Sequence, residues 1–292
     1  MATVDLHIHS TASDGRFSPA EIVAKAAARG LSIIALADHD TVDGIAPALK
    51  AARAFPHLRV IPCVEISTDT PNGEVHLLGY FIDYTSRELQ ATLERQRHSR
   101  WQRAQRMVAR LRDMGLSLDW ERVQQIAGGS ALGRPHIAQA MLERGYVSSI
   151  REAFINYIGR GGPAYVEREK MSPIQALELI LKYDGLPVLA HPLTTADPEA
   201  TVAELKVAGL VGIEAYYNGY TAEETSRLAS LADRLGLIAS GGSDYHGLDD
   251  ATETMIGGVD VPVESAQRLL ALAKERALKL AFEAELWQSS LP

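Results

Sequence analysis

Nine histidines punctuate this 292-residue chain, and most stand beside carboxylates at the ends of apolar runs. His7 and His9 are two residues apart in a strand-like segment, so their side chains share one face and form a ready pair of metal ligands. Asp14 follows in the loop Ser13-Asp-Gly15, His39 sits within Asp38-His-Asp40, and Glu65 closes a further apolar run. His76, His191, Asp244 and His246 complete the series. His57 and His98 have no such neighbours and read as surface residues. Six histidines and three carboxylates at successive strand ends would be costly to bury without a compensating cation. The donor set is nitrogen and oxygen with no thiolate, which suits manganese, iron or zinc and argues against copper(I) or iron–sulfur. Nine ligands are too many for one ion. They fit three divalent ions, with Glu65 bridging two. The lone cysteine, Cys63, reads as a buried thiol.

The elements needed to hold these residues are legible around them. Thr3–His9, Ser32–Asp38, Arg59–Ser67 and Glu74–Asp83 read as strands, the last two joined by the turn-rich segment 68–73. Later strand candidates are Pro187–His191, Val211–Tyr216, Ile238–Gly241 and Met255–Val259. Between them lie helices with clear starts. Ser18-Pro-Ala-Glu21 and Ser172-Pro-Ile-Gln175 are capping boxes with proline at the first helical position, and Thr221-Ala-Glu-Glu224 is a third box. Gly30 and Gly236 suit left-handed helix ends. This alternation predicts a mostly parallel α/β sheet closed into a barrel, in which strand C-termini converge on one mouth.

The middle of the chain departs from that pattern. Ser86–Met114 reads as one long helix, followed by helices at Trp120–Ala127, Pro135–Arg144 and Ile150–Tyr157. The expected organisation is a barrel domain of residues 1–95 and 165–292 with a helical insertion over residues 96–164. Hydrophobic residues make up 46% of the chain and allow a sizeable core. No run of 18 apolar residues exists, so no membrane span is expected. The N-terminal residues lack a secretory pattern, which leads us to expect a cytoplasmic enzyme. A net charge of −8 argues against a protein built to coat nucleic acid, although seven arginines crowd Arg95–Arg112. On a long amphipathic helix such residues most simply form a solvated face.

The motifs Asp5-Leu-His-Ile-His-Ser10, Ala37-Asp-His-Asp40, Val64-Glu-Ile66, Ala190-His-Pro192 and Gly242-Ser-Asp-Tyr-His246 together resemble those of the PHP (polymerase and histidinol phosphatase) family. The resemblance implies a distorted (β/α)7 barrel with a trinuclear site. It implies that His7, His9, Glu65 and Asp244 hold one metal, Glu65, His76 and His191 a second, and Asp14, His39 and His246 a third. Many family members carry a histidine at the position of Asp14, and an aspartate there favours manganese or iron over zinc. Gly133-Arg-Pro-His-Ile137, Gly159-Arg-Gly-Gly162 and Tyr216-Tyr-Asn218 resemble a subgroup of bacterial nucleoside 3′,5′-bisphosphate phosphatases, some of which also trim RNA from its 5′ end.

The implied reaction is hydrolysis of a phosphate monoester by water activated between metals, with metal ligands His7, His9, Asp14, His39, Glu65, Asp244 and His246 nearest the chemistry. Arg134 and His136, opening a predicted helix, and Arg160, in a glycine-rich loop, are candidate clamps for substrate phosphates. Asn218 is a candidate substrate contact from a strand end. Asp38 and Asp40 are candidates for orienting nearby histidines or moving a proton. The expected partner is a nucleotide, with short RNA as an extension; oligomeric state is not legible. Rivals are a histidinol-phosphate phosphatase, an amidohydrolase cleaving C–N bonds, and a non-catalytic metal-binding module. The two arginines favour a substrate with two anionic groups over the first two, and the nine filled ligand positions disfavour the third.

Overall fold

The computed structural model describes residues 3–70, 73–127, 132–167, 171–248 and 253–276. The chain divides into two compact units, one formed by residues 1–90 and 171–292, the other by residues 91–170.

The first unit is a mixed α/β structure with two sheets. In chain order it contains β1 (Val4–Ile8), α1 (Pro19–Ala28), β2 (Ile33–Leu36), α2 (Ile45–Ala52), β3 (Arg59–Pro62), β4 (Glu65–Thr70) and β5 (Gly73–Tyr80). After the helical segment, α7 (Pro173–Lys182), β6 (Leu186–Leu189), α8 (Pro198–Ala208), β7 (Gly212–Tyr217), α9 (Ala222–Leu235), β8 (Ile238–Gly242) and α10 (Val263–Glu275) follow. Strands β1, β2 and β3 form a parallel sheet, and β4 to β8 form a second sheet in sequence order. In that second sheet β4–β5 and β5–β6 are antiparallel, whereas β6–β7 and β7–β8 are parallel.

The closed barrel expected from the alternation is therefore not one continuous ladder. Isolated bridges at strand ends join the sheets instead. Ile8 pairs with Tyr245, with the Asp244 amide donating to His7 O at 2.9 Å and the His9 amide to Tyr245 O at 3.0 Å. His39 pairs with Glu65, with the Asp40 amide donating to Glu65 O at 2.8 Å. Gly242 makes the first seam so close that a Cβ there would lie 2.4 Å from the His7 amide nitrogen. Both seams thus fall where the chemistry-bearing residues are.

Local sequence explains most of the boundaries. Ser18, Ser172 and Thr221 cap α1, α7 and α9 through reciprocal capping boxes. Gly30 and Gly236 take the left-handed conformation just past α1 and α9 (φ +76° and +64°). In β1, Asp5, His7 and His9 share one face, and Val4, Leu6 and Ile8 face apolar cores. One core lies among the strands and α10, with Val4, Leu6, Ile61, Val188 and Leu269; another joins β1–β3 to α1 and α2 through Ile8, Ile22, Ile34 and Val60.

Two expectations need correction, and a third falls partly outside the described residues. Arg59–Ser67 is two strands, broken at Cys63 and Val64, because Glu65 leaves β3 to pair with Leu78 of β5. Met255–Val259 is not a strand: Gly257 has φ +70°, its amide donates to Asp5 Oδ2 at 2.7 Å, and Gly258 closes a turn onto Met255 O. Pro71 and Asn72, within the expected turn between β4 and β5, lie outside the described residues.

The second unit is helical. It comprises most of α3 (Arg87–Asp113), then α4 (Trp120–Ala127), α5 (Arg134–Glu143) and α6 (Ile150–Ala153). The helix expected over Ile150–Tyr157 passes from α-helix into a π turn at Phe154–Ile158. Met107, Leu111, Val123, Ile137, Met141 and Ile158 form its core. No helix among the described residues is long and apolar enough to cross a membrane.

Candidate metal centre

All nine histidines and carboxylates singled out by their spacing lie in the first unit, and each of the six histidines comes within 3.4 Å of a Glu65 or Asp14 oxygen. Strand ends put them there: His7 from β1, His9 just past it, His39 after β2, Glu65 at the start of β4, His76 within β5, His191 after β6, and Asp244 and His246 after β8. His7, His9 and Glu65 form a floor with side chains no more than 1% exposed, while Asp14, Asp244 and His246 stand at the rim, at about a fifth exposed.

The spacing between donor atoms is that of a coordination shell. His7 Nε2 lies 3.1 Å from His9 Nε2, 3.2 Å from Glu65 Oε2 and 3.4 Å from Asp244 Oδ1. His9 Nε2 lies 3.3 Å from Glu65 Oε2 and 3.0 Å from Asp244 Oδ1. Metal–ligand bonds of roughly 2.0–2.2 Å place neighbouring ligand atoms about 3–3.5 Å apart, and these separations fall in that range. Two further groups converge: His9, Asp14, His39 and His246, and His39, Glu65 and His76. Glu65 Oε1 also meets both His76 Nδ1 (2.9 Å) and His191 Nε2 (3.0 Å), while its Oε2 faces His7, His9 and His39.

Outer partners leave the inward nitrogens available. His7 Nδ1–H donates to Glu214 Oε1 at 3.1 Å, His246 Nδ1–H to the Asp244 carbonyl at 2.8 Å, and His191 Nδ1–H to Thr194 Oγ1 at 3.1 Å. Each arrangement directs an Nε2 lone pair toward the carboxylates, as metal-ligating histidines require. The Tyr217 hydroxyl donates to Asp244 Oδ2 at 2.6 Å, whereas Asp244 Oδ1 and His9 Nδ1 are buried without a hydrogen-bond partner. Buried polar atoms left in this state fit a cation that would complete them. Two ligand positions also hold left-handed backbone, Asp244 at φ +53° and His191 at φ +28°, a strain that functional sites characteristically retain.

The electrostatics are those of a crowded, mutually charged cluster. Burial pushes His7 and His9 down, yet carboxylates outweigh it: Asp244, Glu214 and Glu65 hold His7 well above the ordinary imidazole value, and Asp244, Glu65 and Asp14 raise His9 to about 10. Burial dominates at His39, which falls to about 4 against the opposing pull of Glu65 and Asp14. Burial pushes Glu65, Asp14 and Asp244 up, but the surrounding histidines hold all three well below the usual carboxylate range. The carboxylates are thus ionised and ready to receive cationic charge.

The remaining sequence candidates sit elsewhere in the two units. Asn218 follows β7 in the first unit, where its Oδ1 accepts from the Thr254 hydroxyl. Arg134, His136 and Arg160 belong to the helical unit. Arg134 opens α5 with its guanidinium 5.4 Å from the centre of the Phe154 ring, and His136 Nδ1 accepts from the Gly133 amide at 3.0 Å as part of that helix's cap. Arg160 lies in the turn after the π segment, beside Gly161 at φ +80°. Asp38 accepts from the Ser10 amide and hydroxyl and from Ser13, and Asp40 accepts from the Ser67 amide, so both orient ligand-bearing loops. Cys63 is fully buried, as expected.

Residue spacing did not reveal Glu214, Tyr217 or Asp5. Asp5 accepts from Ser243 through both its amide and hydroxyl and from the Gly257 amide, tying β1 to the segment beyond β8. The available signal for Glu214 was a lone acid in the otherwise uncharged strand Gly212-Ile-Glu-Ala-Tyr-Tyr217.

The PHP domain matches the chain over residues 5–183. The chain belongs to the PHP domain family. Among its relatives is a 3′,5′-nucleoside bisphosphate phosphatase from Chromobacterium violaceum, 34% identical and aligned over 84% of this chain and 88% of that protein. The 5′-3′ exoribonuclease Rnm of Escherichia coli is 36% identical over 83% of this chain and 84% of its own length. A solved structure described as an amidohydrolase from Chromobacterium violaceum, with bound sulfate and no metal, superposes with a TM-score of 0.79 at 30% identity, covering 97% of this chain and 100% of that one. This PHP protein is a hydrolase of phosphate esters, and its histidine–carboxylate clusters are able to bind metal.

Proposed function

We propose that this PHP protein removes the 3′-phosphate from nucleoside 3′,5′-bisphosphates, releasing the nucleoside 5′-phosphate, and that it also acts on short 5′-phosphorylated RNA. The observation that carries the site chemistry is the set of donor atoms 3.0–3.4 Å apart around Glu65 and Asp244, one of them buried and unsatisfied. The substrate class draws on the bisphosphate phosphatase and exoribonuclease named among the relatives.

In this reading His7, His9, Glu65 and Asp244 hold one divalent metal, Glu65, His76 and His191 a second, and Asp14, His39 and His246 a third. Manganese is the metal we favour. Bound there, such ions supply Lewis acidity to phosphoryl oxygens and lower the pKa of water toward neutrality. The chain's own part is orientation. Glu214, Thr194 and the Asp244 carbonyl fix three imidazole rings, and Tyr217 fixes the Asp244 carboxylate. Arg134 and Arg160 clamp the anionic groups of the substrate, with His136 and Asn218 as further contacts. The same reading takes the two bridged sheets as a distorted (β/α)7 barrel.

The test is phosphate release by the manganese-loaded protein from adenosine 3′,5′-bisphosphate, with histidinol phosphate and a 5′-phosphorylated oligoribonucleotide beside it. Rapid release from the bisphosphate supports the proposal. Turnover of histidinol phosphate alone would keep the metal centre and overturn the substrate.

A further inference from the structure

Glu214 stands at the third position of β7, fully buried between the apolar Ile213 and Ala215. A carboxylate there is tolerable only if its oxygens are satisfied, and both are. Oε1 accepts from the Nδ1–H of His7 at 3.1 Å, and Oε2 accepts from the backbone N–H of His191 at 2.8 Å. One side chain therefore grips two ligand candidates that arrive on different strands and belong to different metal groups. Its holds on them differ in kind. At His7 it fixes the ring tautomer, so that the proton sits on Nδ1 and the Nε2 lone pair faces Glu65, His9 and Asp244. At His191 it fixes the backbone, which has the strained combination φ +28° and ψ +61°. That backbone carries the ring to within 3.0 Å of Glu65 Oε1, and Thr194 sets the ring's rotation.

We infer that Glu214 is a positioning residue of the metal centre, presenting His7 and His191 to two neighbouring metal groups through its two carboxylate oxygens. The inference rests on the metal-centre reading above. Glutamate is the side chain this geometry demands, because two N–H donors approach it from opposite sides and only a carboxylate offers an acceptor to each. A glutamine has one acceptor oxygen. If its NH2 faces the His191 amide, two donors oppose each other and the strained turn loses its anchor. If the NH2 faces His7, it donates to Nδ1, the ring proton moves to Nε2, and that lone pair is lost to metal. An aspartate is one methylene too short to keep both bonds.

The experiment compares wild type, Glu214→Gln and Glu214→Ala after chelator treatment. Manganese binding is followed by calorimetry, and metal per chain by elemental analysis after gel filtration. Far-UV circular dichroism and thermal unfolding of the metal-free proteins report whether each variant folds. Glu214→Gln is expected to stay folded and to weaken manganese binding about 10- to 100-fold, the range typical of lost support to metal ligands. Glu214→Ala, which loses both bonds, is expected to weaken it further. With zinc, a diamagnetic divalent ion, in place of manganese, nitrogen-15 NMR of the wild type should report the His7 ring proton on Nδ1, a signal that a merely space-filling role at position 214 would not move. A folded Glu214→Gln protein with wild-type manganese affinity and an unchanged His7 signal overturns the inference. A wild-type chain that takes up no manganese overturns the metal-centre reading and this inference with it.

Discussion

The two units of this PHP protein are stabilised in contrasting ways. In the helical unit of residues 91–170 burial is apolar: Met107, Leu111, Val123, Ile137 and Met141 fill the interior. Its buried charge among the described residues is Arg103, whose Nε donates to Val166 O at 2.9 Å. In the sheet-bearing unit Asp5, His7, His9, Asp38, Asp40, Glu65 and Glu214 are all buried, concentrated where strand ends meet. The first arrangement gains stability from packing. The second holds groups that packing alone would exclude, and hydrogen-bonded neighbours keep them in place. The lesson is that damage to the two units should be read on different instruments, metal content and turnover for one and stability for the other.

The contrast would break most visibly at the metal centre itself. Asp244→Ala or His9→Ala should reduce phosphate-ester turnover on the order of 10³-fold or more, with cooperative unfolding retained and bound metal reduced. Near-normal turnover in either variant would contradict the assignment. Met141→Ala in the helical core should do the reverse, lowering stability by about 2–5 kcal/mol as a buried methionine is cut back. Denaturant unfolding and elemental analysis on the same sample would show whether metal content is unchanged. Arg134→Ala should raise KM for a bisphosphate about tenfold with a smaller change in kcat, the pattern of lost ground-state binding. An unchanged KM would remove that arginine from the substrate clamp. At the small end, Arg122 and Glu143 form an exposed ion pair at 2.8 Å, and Arg122→Ala should leave thermal unfolding unchanged within measurement scatter.

Protons sharpen the same contrast through the displaced histidines of the sheet-bearing unit. His9 is raised from 6.5 to about 10, so in the metal-free protein its charged form contributes stability that is fully present below about pH 6.5 and is lost as pH climbs through about 10. His39 is lowered to about 4, so its contribution runs the other way: it is present above about pH 6.5 and lost as pH falls toward 4. A metal must displace the His9 proton. Manganese binding near pH 7 should therefore release protons and strengthen with rising pH, which calorimetry in buffers of different ionisation enthalpy would detect. Binding without proton release would contradict a charged His9 in the metal-free centre.

Much of this was legible in the chain. The period-two placement of His7 and His9 and the carboxylates at run ends already point to one cluster, because strand ends of a parallel α/β fold converge. The helical segment was legible because its apolar spacing switches from two to about 3.6. What stayed hidden depends on contacts remote in sequence. Glu214 meets His7 across 207 positions, and nothing local marks it beyond an acid in an uncharged strand. The direction of β6 against β5 was also hidden, since the long helical segment between them can return a chain either way. Met255–Val259 misled because its apolar residues resemble a strand, whereas Gly257 and Gly258 turn the backbone so that it can donate to Asp5. The seams between the sheets likewise depend on Gly242 and Asp5, whose roles appear only once β1 lies against the end of β8.

The most direct test of the account is a manganese titration of the chelator-stripped protein that follows bound metal and phosphate release from adenosine 3′,5′-bisphosphate in parallel. The account predicts that turnover is absent without metal, rises as the sites fill, and saturates at three ions per chain, with Asp244→Ala failing on both readouts. Full turnover by protein that holds no metal, or saturation with metal while no phosphate ester tested is cleaved, would contradict it.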